Sequence, residues 1–154
     1  MEAKEIIKEL GLSSHPEGGY YKRMFSSDKQ TIDGKGILSS IYYLLEGNDF
    51  SAFHRLCSVE LWFFHLGEPI NIYILNNYGK LETHTLSSNL YDSFQFVVEP
   101  NTWFAADIPS KKGFSLVSCA VSPEFSFENF ELANNEELLK EYPQYQLIIN
   151  RLTR

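Results

Sequence analysis

Cysteine is scarce. The 154-residue chain has two, Cys57 and Cys119, too far apart in sequence to form a metal-type pair, which wants short spacing. Both sit in apolar, strand-like surroundings, so two buried thiols are expected. Positive charge is also short, with 13 Lys and Arg against 20 Asp and Glu and a net charge of −7. The longest basic cluster is Lys111-Lys112, at a turn, and nucleic-acid binding by counterion release needs more than that. No apolar run approaches the ~20 residues that cross a bilayer. Residues 1–11 are charged and amphipathic, with no apolar core of an export signal. The chain is therefore expected to bind neither nucleic acid nor membrane and to be cytoplasmic. It shows no internal repeat, low-complexity tract or dividing linker, which makes residues 1–154 one domain.

Aromatic residues, by contrast, are plentiful: 12 Phe and 9 Tyr help bring the aromatic share to 15%. Flat rings pack well on pleated surfaces, so this surplus favours β-structure. Ile6, Ile7 and Leu10 stand at helical spacing over residues 2–10, and Gly11 can close that helix in the left-handed conformation. His15-Pro16-Glu17-Gly18-Gly19 breaks regular structure before a strand from Tyr20 to Phe25. Further strands are expected at 37–45, 51–56, 60–66, 70–76, 81–86, 94–99, 102–107 and 113–121. Turn signals at Gly67-Glu68-Pro69, Asn76-Asn77-Tyr78-Gly79 and Glu99-Pro100-Asn101 punctuate them. Short strands with such regular punctuation indicate a sandwich or barrel. After Pro123 the pattern turns helical, over Asn134 to Tyr142 and Pro143 to Leu152, and these helices are expected to cap one end of the barrel.

The segment from Ser51 to Gly67 carries the candidate chemistry. Period-two alternation puts Ala52, His54 and Leu56 on one face of a strand, and Glu60, Trp62 and Phe64 on one face of the next. A His and a carboxylate facing the inside of a barrel need a reason, because buried unpaired charge is costly. A His–Glu hydrogen bond, a metal or a ligand would each supply one. His54 oriented by Glu60 would be a general base whose pKa lies near the operating range. Tyr20, or one of Tyr21, Tyr42, Tyr43 and Tyr73, would supply the acid. Trp62, Trp103 and Phe64 can stack on a ligand, and Ser51 can hydrogen bond to it. Glu17 either closes the pocket or bonds amides in its own turn. Parity turns Arg55 away from His54 and His65 away from Glu60. His84 lies on a solvated face.

The spacing His54-x5-Glu60-x6-Gly67 resembles the first cupin motif, and Glu99-Pro100-Asn101-Thr102-Trp103-Phe104 resembles the second. Leu56 and Phe104 fall where metal-dependent cupins carry two further histidines. Glu99-Pro100-Asn101 stands for a Pro-x-Gly turn, with Asn tolerating positive φ. Nearly end to end the chain resembles the fifth cupin family. The matching features are His15-Pro-Glu-Gly-Gly-Tyr-Tyr21, Ile41-Tyr-Tyr-Leu-Leu45, Ser51-x-Phe-His-Arg55, Glu60-Leu-Trp62, Trp103 and Val121-x-Pro-x-Phe125. The resemblance implies an all-β double-stranded β-helix, an RmlC-like jelly-roll barrel, with a short N-terminal helix and C-terminal helices. It also implies a small-molecule site in the barrel and a homodimer, for which the Tyr20–Phe25 strand could pair across a two-fold. The function expected is recognition of a sugar-like or nucleotide-sugar-like ligand without a cofactor, with epimerase or isomerase chemistry through His54. The alternatives are a metal-dependent oxygenase or isomerase, whose divalent metal His54 and Glu60 would hold, and a binding protein without chemistry.

Overall fold

The computed structural model describes residues 2–154. Its elements run α1 (Ala3–Leu10), β1 (Ser13–Ser14), β2 (Tyr20–Ser26), β3 (Ser39–Glu46), β4 (Phe50–Leu56), β5 (Val59–Gly67), β6 (Ile70–Leu75) and β7 (Leu81–Leu86). They continue with β8 (Gln95–Val98), β9 (Trp103–Asp107), β10 (Phe114–Ser122), β11 (Phe130–Leu132), α2 (Asn135–Glu141) and α3 (Gln146–Arg151). One antiparallel sheet has the order β1-β2-β3-β10-β5-β8 and the other β11-β4-β9-β6-β7. The expected all-β jelly roll with helices at both termini is what forms. Asn134 accepts from the Glu137 N–H at 3.1 Å and so caps α2. Gly11 closes α1 at φ 64°, and Asn101 takes φ 59° in the turn before β9.

Side-chain alternation sorts the apolar residues into three cores. Tyr43 and Leu45, Trp62, Ile72 and Ile74, Phe104 and Ala106, and Val117 and Cys119 point between the sheets. The residues between them in sequence point outward. Leu44 and Leu116 meet Ala3, Ile6 and Leu12 of the N-terminal segment. Phe53, Tyr73, Leu75, Trp103 and Ala105 meet Leu138, Tyr142, Ile149 and Leu152. The C-terminal helices therefore lie flat on the outer face of the five-stranded sheet, not across a barrel end as expected. The apolar outward residues of β6 and β9 require that cover, each buried side chain contributing ~1.5–3 kcal/mol. Cys119 is buried as expected, but Cys57 is exposed, because it sits in the turn between β4 and β5 rather than in a strand.

β2 pairs with β1 only through Tyr20 and Tyr21, so its outer edge from Lys22 onward is free, with Met24 and Phe25 half exposed. At the end of β9, fully buried Asp107 accepts from the Tyr73 hydroxyl at 2.9 Å. The same carboxylate faces the Lys111 ammonium and the Arg151 guanidinium, the latter at 3.5 Å. It thereby ties β6, β9 and α3 together. Asp107→Asn is expected to lower unfolding stability by about 2 kcal/mol, since the two cations are partly solvated and lose only part of a buried pair. An unfolding free energy from urea titration within about 0.5 kcal/mol of wild type would show that the cations do not hold α3 down.

Candidate functional site

A bulge, a glycine pair and one loop carboxylate build the site. The β4–β9 register slips between Ser51, which faces Ala106, and His54, which faces Phe104. The extra residue takes Ala52 and Phe53 out of the ladder, and their backbone groups find other partners. Ala52 N–H donates to the Glu17 carbonyl at 2.9 Å, Phe53 N–H to the Leu152 carbonyl at 2.8 Å, and the Phe53 carbonyl accepts from Ala133 at 2.8 Å. The Ala52 carbonyl accepts from His54 Nδ1 at 2.7 Å. A carbonyl only accepts, so Nδ1 carries a proton and Nε2 faces the cavity side.

Nε2 lies 3.2 Å from Glu17 Oε2. The Ser51 hydroxyl donates to Glu17 Oε1 at 2.8 Å. Without the bulge, an offset of three along one strand would turn Ser51 and His54 to opposite faces; with it, both reach the same carboxyl. Glu17 itself is held by its backbone. Gly18 and Gly19 adopt φ 108° and 75°. The Gly18 carbonyl accepts from the Tyr43 hydroxyl at 2.7 Å, and Gly19 N–H donates to Asp49 at 2.7 Å. Glu17 N–H donates to His15 Nδ1 at 3.2 Å, which leaves the His15 proton on Nε2. Burial pushes the His15 pKa below its ordinary value, although the Glu17 charge pulls it back upward.

The cavity beside this pair opens at one end of the sandwich. It has about 30 Å³ of room inside a concavity whose total empty space, mouth included, is about 450 Å³. Tyr21 and Arg23 line it from β2, Ser39, Ser40 and Ile41 from β3, His54 and Leu56 from β4, and Glu60 from β5. Cys119 and Val121 complete it from β10, with His15, Glu17 and Phe125 from loops. Phe125, Phe127 and Phe130 pack on one another at 5.0 to 6.0 Å near the mouth, and Phe130 lies 5.4 Å from the His54 ring.

Glu60 is buried, and its Oε2 has no hydrogen-bond partner among the described residues. Burial, reinforced by the negative charge of Glu17, raises its pKa to about 8, with the Cys119 thiol and the Trp62 indole pulling weakly the other way. The indole N–H does not close a full hydrogen bond, since Trp62 Nε1 is also unpartnered.

His54, Glu60 and Glu17 come together as sequence candidates for one cavity, but the partner of His54 is Glu17 rather than Glu60. Ser51 reaches the site through Glu17. Tyr20 does not line the cavity; it packs toward α1, and Tyr21 takes its place because neighbouring residues on a strand face opposite ways. Trp62 is fully buried in the core between the sheets, and Phe64 packs against the same core. Trp103 lies on the outer face under the C-terminal helices, with the Arg55 guanidinium 4.3 Å from its ring. None of these three rings lines the cavity. Tyr43 and Tyr73 spend their hydroxyls on Gly18 and Asp107. His15, Arg23, Cys119 and Phe125 were not singled out as site residues. His15 and Phe125 lie in quoted motifs, and parity with Val121 would have found Cys119.

A metal fits this donor set poorly. Leu56 offers no donor, and the Phe104 ring packs 4.1 Å from the His54 ring where a ligand would stand. His54 Nδ1 is held by a carbonyl and its Nε2 by Glu17. Among the described residues, no three His, Cys, Asp or Glu side chains are grouped to hold a metal ion.

The family model described as "Cupin superfamily (DUF985)" matches residues 4–133. The chain belongs to this cupin family. A solved cupin-like neighbour, a protein from Shewanella oneidensis, is 38% identical, with a TM-score of 0.95 over 100% of this chain and 98% of that one. A hypothetical protein from Leishmania major is 28% identical, with a TM-score of 0.92 and 99% of each chain covered. Oxalate decarboxylase from Bacillus subtilis shares the cupin fold at 10% identity, with a TM-score of 0.61 over 90% of this chain and 36% of that longer one. Comparison with curated proteins gave no match.

Proposed function

We propose that this cupin binds a small, polar, sugar-like molecule in its cavity and moves a proton on it, with Glu17 as the accepting group and His54 as its charge partner. The observation that carries the reading is the engagement of both His54 nitrogens, Nδ1 with the Ala52 carbonyl and Nε2 with buried Glu17. A ring held at both ends has no nitrogen left for the ligand. Donating to Glu17 through Nε2, it stabilises negative charge on that carboxylate, which itself accepts the proton from the ligand. Burial makes that arrangement stronger than it would be in water. Ser39, Ser40 and Arg23 supply hydrogen bonds for hydroxyls, and Tyr21 and Phe125 offer rings. The narrow interior admits only the reacting end of such a molecule, and the rest of it would lie in the wider mouth.

A thermal-shift screen with sugars, sugar acids and sugar nucleotides tests this. A ligand at 100 times its dissociation constant adds about 2.7 kcal/mol, which is roughly 5–10 °C in Tm for a chain of this size. Glu17→Gln keeps the side-chain volume but removes the charge, and the shift is expected to disappear in it. A ligand that shifts both proteins equally binds elsewhere and ends the reading.

A further inference from the structure

Glu60 is the buried group that the Glu17–His54 pair leaves unused. It enters the cavity from β5, is 7% exposed, and has an oxygen without a partner. A buried polar atom left unpaired costs about 1–3 kcal/mol, and nothing in the core requires a carboxyl there. We propose that Glu60 is the proton donor of the site, bonding as a neutral acid to the oxygen of a small uncharged hydroxy-aldehyde or hydroxy-ketone while Glu17 addresses the adjacent C–H. This deepens the reading of Glu17 as proton acceptor and rests on it.

Two features of the cavity point to that ligand class. A neutral carboxylic acid donates one O–H, and the atom it satisfies must be an acceptor, as a carbonyl oxygen is. Glu17 already brings one carboxyl into the same narrow space, which disfavours a carboxylate ligand beside it. Tyr21 and His15 also bring an O–H and an N–H to the cavity, but both are only partly buried and neither leaves a buried polar atom without a partner. The raised pKa of Glu60 agrees with the assignment, since it keeps the proton in place at neutral pH. The charged and titratable groups that share the cavity with it are Glu17, His15, His54, Arg23, Tyr21 and Cys119.

The step balances without a redox partner. Glu17 takes the proton from the carbon beside the carbonyl, and the C–H electron pair becomes a C=C bond. The carbonyl π pair takes the Glu60 proton. The product is an enol, with Glu17 now protonated and Glu60 ionised. Returning a proton from Glu17 to the same carbon, and the enol proton to Glu60, restores both groups and leaves the ligand exchanged; returning it to the former carbonyl carbon, with the neighbouring hydroxyl giving its proton to Glu60, leaves the ligand isomerised.

The test is hydrogen–deuterium exchange at carbon, followed by proton NMR, with the full-length protein in D₂O and dihydroxyacetone or glyceraldehyde as probe. Wild type is expected to accelerate exchange over buffer. Glu60→Gln should reduce that acceleration about a hundredfold, the ordinary worth of a positioned acid. The wild-type rate should also fall as pH rises past about 8, where Glu60 loses its proton; this arm needs no variant to fold. Exchange that survives Glu60→Gln, or a wild-type rate that stays level past pH 8, overturns the role of Glu60 and leaves Glu17 untouched. Catalysed exchange equal in Glu17→Gln and wild type overturns the underlying reading. No exchange of either probe by wild type overturns the ligand class.

Discussion

Gly18→Ala is expected to destabilise the protein by roughly 3 kcal/mol or more and to withdraw Glu17 from the cavity. Two effects add. At φ 108° the backbone is in a region that L-residues rarely adopt. A Cβ there would also stand 2.1 Å from the Phe50 carbonyl oxygen and 2.3 Å from an Arg154 guanidinium nitrogen. The guanidinium can swing aside, but the carbonyl belongs to β4 and cannot. The loop must therefore lift, giving up the Tyr43–Gly18 and Ala52–Glu17 hydrogen bonds. A fall in Tm of roughly 6–12 °C would follow. Gly79→Ala separates the two effects. Gly79 has φ 73° but nothing within 4 Å of an added Cβ, so it should cost only about 1 kcal/mol. If Gly18→Ala melts within 1 °C of Gly79→Ala, the loop is not clamped, and the placement of Glu17 by steric closure fails.

The same loop shows where the sequence stops being informative. Turn residues punctuate the strands at nearly the right places, and Asn101 takes the positive φ expected of it. The spacing from His54 to Glu60 does bring both residues to one cavity. The partner of His54, however, lies 37 residues upstream in a turn, and no period along a strand reports a contact made through a loop. The bulge at Ala52–Phe53 is equally silent, because a register slip is set by which outside groups take up the freed amides. Here those groups come from residues 17, 133 and 152.

Trp62 and Trp103 mislead for a different reason. Both sheets are covered on their outer faces, one by α1 and the other by α2 and α3. The central strands therefore read as nearly continuous apolar runs, without the polar positions that mark an outside face. Parity still separates Trp103 from Phe104, but it does not say which of the two looks into the barrel. The His54 site removes that ambiguity only once β4 and β9 are paired, since His54 and Phe104 then stand opposite each other.

Wild-type stability is expected to fall relative to Glu60→Gln by about 4 kcal/mol between pH 5 and pH 8.5. Burial holds the Glu60 pKa at about 8 in the folded protein, against an ordinary 4.5. Between those values the folded chain keeps a proton that the unfolded chain releases. Raising the pH therefore favours unfolding, at about 1.4 kcal/mol per pH unit. The contribution is complete below pH 4.5 and is lost as pH climbs through 8. His15 works in the opposite sense, because its lowered pKa makes stability rise with pH up to 6.5. The Cys119 thiol, raised above 9.0 by burial, adds a loss only in more alkaline solution. Subtracting the Glu60→Gln curve cancels the His15 contribution, and Cys119, whose thiol Glu60 itself helps to raise, titrates above the range compared. Urea midpoints taken at half-unit steps give the two curves, and parallel curves would show that Glu60 ionises freely. A fold that gives up this much stability at neutral pH holds, in return, a carboxylic acid that still has its proton there. That is the property a donor to a ligand oxygen must have, and glutamine of the same shape lacks it.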